Sequence, residues 1–282
     1  MTPTPTQIAS VMAIGLVGGI LGGLLGLGGS VFIIPALTLL LGTNQHLFQA
    51  AALLTNVFVA AAATLRHRGR GTIRKDLIPS ILVASSMAAL AGVALSNLLE
   101  PKPLASVFGA YLCYAAFAEL VSLLRRSRDH AEDAERTTHP LLGTIVGVAG
   151  GFASGFLGIG GGAVMVPLLR RYGRLPIRQA VATSATAMIV ICAIGATAKN
   201  AAIGGLRNPA GEPLSLGDSL TLALLLTPAA AVGGHVGAAL VYRIPITATR
   251  LVLATLLAIA GARMLAAGGV ETVDRMRSLI GL

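Results

Sequence analysis

Long apolar stretches without charge dominate the chain. No Asp, Glu, Lys or Arg occurs from Met1 to Leu65. Further uncharged runs follow at Leu77 to Leu99, Pro140 to Leu169, Gln179 to Ala198 and Ser219 to Tyr242. About 20 consecutive apolar residues cross a bilayer as a helix, whereas the strands of membrane barrels alternate in segments of about 10. The pattern therefore predicts an all-α polytopic membrane protein.

The apolar pattern occurs twice along the chain. Gly18–Pro35 reads GGILGGLLGLGGSVFIIP and matches GGFASGFLGIGGGAVMVP at Gly150–Pro167, 132 residues later and without a gap. We interpret the chain as a tandem duplication, because each matching segment is followed by three further apolar spans. Its expected parts are a first transmembrane repeat at 1–124, a charged linker at 125–139, a second repeat at 140–270 and a C-terminal tail at 271–282.

Glycines interrupt the first apolar stretch of each copy. Ile8–Gly42 is too long for one straight span and short for two, and adjacent glycines at its centre unwind a helix. We expect a helical hairpin there, with one arm short or re-entrant. A hairpin adds no net crossing, so each copy crosses the membrane a net three times and the second copy is inverted. The predicted fold is two inverted-topology repeats, each a glycine-broken hairpin plus three transmembrane helices.

The few charges indicate an orientation in the membrane. Only 11% of the residues are charged, 55% are hydrophobic and the mean hydropathy is +0.81. Most of the 21 Lys and Arg residues lie in four connections, Arg66–Lys75, Arg125–His139, Arg170–Arg178 and Arg243–Arg250. Cytoplasmic loops are enriched in Lys and Arg, so we expect these connections inside the cell and both termini outside the cytoplasm.

Several other functional classes are excluded by the same residues. The net charge of +10 does not indicate nucleic acid, because the basic residues flank apolar spans without aromatic interleaving or a recognition motif. Cys113 and Cys192 lie inside spans without a CxxC or His partner, so no metal site, cofactor or disulfide is indicated. No paired carboxylates or Ser/His/Asp set occurs at membrane depth, so we expect no catalytic residues and no enzyme.

The glycine runs are the candidate substrate site. The glycines from Gly18 to Gly23 are typical of close helix packing. The later glycines free backbone N–H groups, and half-helices that begin near Ser30 and Gly162 would each present a positive dipole end of about half an elementary charge. Polar side chains of the following spans either add donors or serve interhelical hydrogen bonds. The candidate substrate-binding residues are Gly26, Gly28, Gly29, Ser30, Thr55, Asn56, Gly158, Gly160, Gly161, Gly162, Thr183 and Ser184.

Three ionisable residues are candidates for gating or coupling. Arg66 and Lys199 each end the second span of their copy, at opposite faces of the membrane in the inverted topology. There they either attract an anion or form a solvated flank. His235 lies within a span, where it either carries a proton or is a neutral, hydrogen-bonded core residue.

Four motifs of the chain suggest a known family. They are GLGGSxxxxP at Gly26–Pro35, GIGGGxxxxP at Gly158–Pro167, AVATS at Ala180–Ser184 and RHRGRGTIRKD at Arg66–Asp76. In these motifs the chain resembles the TauE/SafE family of sulfite exporter-like membrane permeases. One departure is that the first copy has Leu53-Leu54 in the frame of Thr183-Ser184, with Thr55-Asn56 displaced by two residues.

The resemblance implies transport of small sulfur-containing anions, such as sulfite, sulfoacetate or related organosulfonates, across the inner membrane of a bacterial cell. We therefore expect a secondary transporter that works by alternating access, with one copy rocking against the other. The expected partners are the lipid bilayer, a small anionic substrate and a coupling proton or ion; the oligomeric state is left open. The alternative is a passive anion channel, or a permease for another small oxyanion, which would use the same dipoles.

Overall fold

The computed structural model describes residues 4–42, 44–124, 140–241, 243, 251, 254–255 and 257–266. These residues form helices and contain no strand. The first copy contributes α1 (Pro5–Leu25), α2 (Ser30–Leu41), α3 (Gln45–Arg68), α4 (Ile78–Asn97) and α5 (Pro101–Leu124). The second contributes α6 (Pro140–Leu157), α7 (Gly162–Arg171), α8 (Ile177–Ala202), α9 (Leu216–Leu240) and α10 (Leu257–Ala266). The predicted linker at 125–139 and tail at 271–282 lie outside the described residues.

Seven of the described helices are long and apolar enough to cross a membrane, namely α1, α3, α4, α5, α6, α8 and α9. Helices α2 and α7 are short, with 12 and 10 residues. Each folds back on the long helix before it, because a Cβ on Gly18 would lie 2.5 Å from the Ile33 side chain and one on Gly150 would overlap the Met165 side chain. The prediction of a helical membrane protein with glycine-broken hairpins is therefore confirmed.

Small residues let helices of different copies pack closely. Helix α1 lies along α9, and α6 lies along α4 in the same way. The backbones touch, because a Cβ on α1's Gly15 would lie 2.6 Å from a carbonyl oxygen of α9. Both pairs are parallel, as shown by the contacts Gly15–Leu226, Gly19–Ala230 and Gly23–Gly234 in one and Gly147–Ile81, Gly151–Ser85 and Gly155–Ala89 in the other. Each copy therefore completes its packing with the first helix of the other copy.

Corresponding helices of the two copies run antiparallel. In the pair α3 and α8, which are the most buried spans, His46 contacts Lys199, and a Cβ on Gly195 would lie 3.5 Å from the Leu53 side chain. In the pair α5 and α10, Gly109 packs on Leu265 and Cys113 on Gly261. Antiparallel partners are consistent with the expected inverted repeat, because inversion reverses the direction of each helix.

The antiparallel crossing of α3 and α8 gives the bundle two distinct ends. The basic end contains the connections 66–75 and 170–178, and the backbone N–H of Arg74 donates to Thr183 Oγ1 of α8 there (3.0 Å). The other end contains the start of α3 and the ends of α4 and α8, and we name it the Lys199 end.

Candidate functional site

The two glycine runs form the breaks in the hairpins. Residues 26–29 are termed the first breakpoint and residues 158–161 the second. Their backbone turns through the left-handed region, with φ between 64° and 85° at Gly26, Gly28, Gly158, Gly160 and Gly161. That region costs a residue with a Cβ roughly 1–2 kcal/mol. Glycine therefore lets the chain end one helix and begin the next within five residues.

The two breakpoints contact each other between α3 and α8. A Cβ on Gly28 would lie 2.9 Å from the carbonyl oxygen of Ile159, and a Cβ on Gly162 would overlap the carbonyl oxygen of Gly26. Every residue of both breakpoints is buried. Helices α2 and α7 consequently begin side by side in the interior, at Ser30 and Gly162, and the sequence predicted starts near these residues.

Asn56 of α3 joins the two breakpoints. Its Oδ1 accepts a hydrogen bond from the backbone N–H of Ser30 (3.3 Å), and its Nδ2 donates to Ser30 Oγ (2.7 Å). The same Nδ2 would lie 3.2 Å from a Cβ on Gly28 and 2.8 Å from one on Gly160. The sequence had suggested a free N–H group at the start of α2. The structure instead caps the N–H group of Ser30 with the Asn56 side chain, which a ligand could replace.

Side chains of α8 contact both breakpoints. Ser184 Oγ donates to the carbonyl oxygen of Gly26 (3.2 Å), and Cys192 Sγ donates to that of Gly160 (3.8 Å). The Met188 methyl group lies between them, 2.8 Å from where a Cβ would stand on Gly28 or on Gly160. Gly161, which precedes α7, has no side-chain cap. The crossing of α3 and α8 thus brings two helix N-termini together with small neutral polar groups.

Thr55 and Thr183 are placed away from the breakpoints by their hydrogen bonds. Thr55 Oγ1 donates to the carbonyl of Ala51 in its own helix and accepts from Thr227 of α9. Thr183 Oγ1 accepts from the backbone of Arg74 at the basic end. Ser184 instead bonds to the first breakpoint, and Asn56 Nδ2 approaches both breakpoints.

Lys199 is fully buried, which corrects the expectation of a solvated flank. Its Nζ donates to Ser96 Oγ (2.7 Å) and Asn97 Oδ1 (2.7 Å) and lies 3.0 Å from His46 Nδ1. His46 Nε2 donates to the carbonyl oxygen of Leu99 (3.0 Å), so its Nδ1 accepts from the lysine. Lys199 therefore lies in a polar cluster contributed by the first copy.

Arg66 and His235 differ from Lys199 in their surroundings. Arg66 lies in the last turn of α3 at the basic end, opposite to Lys199 as expected. His235 is exposed on the surface of α9 rather than in the core. The expectation of a core histidine was wrong because a glycine pair and Gly237 occupy the packed face of α9 around it.

Gln49, which is not among the candidate site residues predicted from the sequence, links the Lys199 cluster to the second breakpoint. Gln49 Oε1 accepts from Ser96 Oγ (3.2 Å), and its Nε2 donates to the carbonyl oxygen of Phe156 (3.2 Å). A Cβ on Gly158 would lie 2.7 Å from Gln49 Cγ. The one sequence signal for this residue was its repetition as Gln179 in the second copy.

The chemistry available at the breakpoints suits a small anion. Two helix N-termini contribute partial positive charge, and Asn56, Ser30 and Ser184 contribute neutral donors. Among the described residues no three His, Cys, Asp or Glu side chains come together as ligands for a metal ion. The polar groups at this crossing are thus backbone dipoles, hydroxyls, an amide and a thiol.

Comparisons with known proteins place this fold in a family. Residues 11–264 match the family described as sulfite exporter TauE/SafE. Several relatives are named probable membrane transporter proteins. MamO of Paramagnetospirillum magneticum is 24% identical over 92% of this chain and 44% of that protein. YunE of Bacillus subtilis is 25% identical over 82% of this chain and 87% of its own. A third, from Haemophilus influenzae, is 28% identical over 86% of this chain and 92% of its own.

The coverage differs among these relatives. This chain spans less than half the length of the MamO proteins that it matches. No solved structure matches it. Because the family match extends over nearly the whole described bundle, from α1 to α10, it includes both breakpoints and the Lys199 cluster. This multi-pass membrane protein belongs to the sulfite exporter TauE/SafE family of membrane transporters.

Proposed function

We propose that the protein is a secondary transporter that moves small sulfur-containing anions, such as sulfite, sulfoacetate or related organosulfonates, across the cytoplasmic membrane by alternating access. The observation that carries the proposal is the meeting of two broken helices, one from each copy, with their N-termini side by side in the buried centre. Broken helices of this kind hold anionic substrate groups in transporters without burying a full basic charge.

The proposed substrate site is formed by both breakpoints and their side-chain partners. A sulfonate oxygen would replace Asn56 Oδ1 at the Ser30 amide, and the freed Asn56 and the uncapped start of α7 would hold the other oxygens. A cation would meet the same positive helix ends and be disfavoured. The site residues would be Gly26, Gly28, Gly29, Ser30, Asn56, Gly158, Gly160, Gly161, Gly162 and Ser184, with Thr55 and Thr183 in supporting hydrogen bonds.

Transport would occur by rocking of one copy against the other, coupled to a proton or other ion gradient. The copies are joined by hydrogen bonds at both ends, Arg74 to Thr183 at the basic end and Lys199 to Ser96 and Asn97 at the other. Breaking one set while keeping the other would open the buried breakpoints to one side only. Such alternation is what distinguishes a carrier from a channel.

The proposed orientation in the membrane rests on the basic end. The two described basic connections lie at the same end of the bundle, which supports a cytoplasmic location for that end. The Lys199 end and both termini would then face away from the cytoplasm, in the inner membrane of a bacterial cell.

Flux into proteoliposomes tests the proposed function. We expect saturable uptake of sulfite and sulfoacetate that is stimulated by the same anion on the other side and by a pH gradient, with little flux of phosphate, chloride or taurine. Flux that does not saturate and shows no exchange would indicate the passive channel instead. The absence of any anion flux would overturn the proposal.

A further inference from the structure

Lys199 lies at the junction between the two copies. It belongs to α8 of the second copy, and its three hydrogen-bond partners belong to α3 and α4 of the first. The side chains of Lys199 and Ser96 are both 0% exposed, as is that of Gln49. We name Lys199, His46, Ser96 and Asn97 the latch, because this cluster closes the Lys199 end between the copies.

The contacts of Lys199 match those of an ammonium whose hydrogen-bond partners are all neutral. Three acceptors surround Nζ, and only an ammonium has three hydrogens to donate to them. None of these partners of Lys199 is a carboxylate. A buried charge that is held by neutral acceptors alone gains strongly from an anion.

The latch is connected to the second breakpoint. From Lys199 the hydrogen bonds run to Ser96, then to Gln49, then to the carbonyl of Phe156, two residues before Gly158. Lys199 and Cys192 are separated by seven residues, so they lie on one face of α8, about 10 Å apart along the helix axis. Since Cys192 contacts Gly160, the latch lies directly over the breakpoints on the way to the Lys199 end.

We propose that Lys199 is the gate residue of the Lys199 end and a first docking site for the substrate: a small oxyanion binds the ammonium in place of its neutral acceptors and thereby releases α8 from α3 and α4. The anion's role rests on the proposed function, whereas the closing role of the latch rests on the contacts alone. His46, Ser96 and Asn97 offer acceptor atoms but no negative charge. An oxyanion offers both, so its hydrogen bonds to the ammonium would be stronger.

Labelling of Cys192 tests the gate. The chain has two cysteines, so a Cys113→Ala background leaves Cys192 as the one thiol for a membrane-impermeant maleimide. Labelling is measured in right-side-out and in inverted membrane vesicles. We expect Lys199→Met to raise the labelling rate at least about fivefold, the lower limit of typical coupling effects, and only in vesicles that expose the Lys199 end. The matched control is Lys102→Met, which removes a partly exposed lysine from the same end.

Two further variants separate the gate from a loss of folding. Asn97→Ala removes one acceptor of the latch from a partly exposed position, and should raise labelling in the same vesicles. The unfolding midpoint of each purified variant shows whether it is folded. Equal labelling rates of the Lys199→Met and Lys102→Met proteins in both orientations would overturn the gate.

Addition of sulfoacetate tests the anion's role. In the Cys113→Ala background, sulfoacetate at the Lys199 end should raise the labelling rate toward that of Lys199→Met, and it should have no further effect on the variant. An equal effect of sulfoacetate on both proteins would overturn the docking site. If liposomes show no anion flux but Lys199→Met still opens Cys192 to labelling, the proposed substrate fails and the gate stands.

Discussion

At the scale of single residues, Asn56 and Lys199 differ in charge and in position, because one is neutral and close to the breakpoints and the other is basic and lies at the Lys199 end. Asn56 is a neutral amide close to both breakpoints, so the proposed site would attract an anion through dipoles rather than through a fixed cation. Lys199 would carry a full charge as an ammonium, but it lies two helical turns along α8 from Cys192, which contacts the second breakpoint. A substrate would thus meet a full positive charge at the entrance and partial charges at the centre, from which it could leave again.

Substitution of Asn56 by Asp tests whether the breakpoints hold an anion. The carboxylate keeps the acceptor for the Ser30 amide, and a negative charge at a helix N-terminus stabilises by about 0.3–1 kcal/mol. It would repel a bound anion about 4 Å away by about 4 kcal/mol. We therefore expect sulfoacetate flux to fall at least about tenfold, which corresponds to about 1.4 kcal/mol. Flux is measured per folded protein, because burial of the carboxylate costs free energy of folding.

The matched control is Asn208→Asp, which makes the same change in the connection before α9, far along the chain from either breakpoint. Its flux should equal that of the unmodified protein. Normal flux in Asn56→Asp would exclude an anion at the Ser30 amide.

At the scale of the helices, glycine has two separate functions. At the breakpoints it permits left-handed turns, whereas along α1 and α6 it permits contact between backbones. The second function holds the copies together, because α1 packs on α9 and α6 on α4. The glycines from Gly18 to Gly23 pack on two partners. Gly19 and Gly23 face α9, whereas Gly18 faces Ile33 of α2 and Gly22 faces the first breakpoint.

Substitution of Gly19 by Val tests the packing of α1 on α9. A Cβ there would overlap the carbonyl oxygen of Ala230 and lie 2.8 Å from its Cα. Overpacking of this kind costs about 1–3 kcal/mol, so the unfolding midpoint in detergent should fall. Gly69→Val is the control, because Gly69 has φ −71° and no atom within 4 Å of its Cβ position. Similar midpoints for the two variants would show that this helix contact contributes little to stability.

At the scale of the whole molecule, the two copies meet along α3 and α8, and the first helix of each copy packs on a helix of the other copy. The breakpoints of both copies lie within this interface, so any substrate they bind is held by both. Motion of one copy against the other would therefore change the site and both ends together. This arrangement supports rocking, rather than the opening of a single loop, as the transport motion.

A disulfide between the copies tests this motion. Ala63 of α3 and Ala185 of α8 belong to one buried cluster, so Ala63→Cys with Ala185→Cys should cross-link under oxidation. In a background without native cysteines that retains flux, we expect oxidation to abolish transport and a reductant to restore it.

A cross-link within one copy is the control. Leu142→Cys with Gly173→Cys joins α6 to the connection after α7, where a Cβ on Gly173 would lie 3.0 Å from the Leu142 side chain. It should leave transport intact. Full transport through the cross-linked Ala63–Ala185 protein would rule out rocking along α3 and α8.

The sequence by itself determined the helical membrane class, the duplication and the positions of the hairpin breaks. These are local properties. A long uncharged apolar stretch forms a membrane helix, and adjacent glycines interrupt that helix whatever it packs against. Ser30 and Gly162 as the first residues of α2 and α7 followed from the glycine runs alone. The family resemblance depended on the same motifs.

Only the tertiary structure decided which polar residues share a site. Asn56 reaches Ser30 while Thr55, its neighbour in sequence, faces α9, because adjacent residues on a helix point in different directions. His46, Ser96 and Lys199 come from helices far apart in sequence, and the crossing of α3 and α8 with α4 beside them brings these residues together. Whether a charged residue at the end of a span is solvated or buried depends on its neighbours in space, which local sequence does not encode.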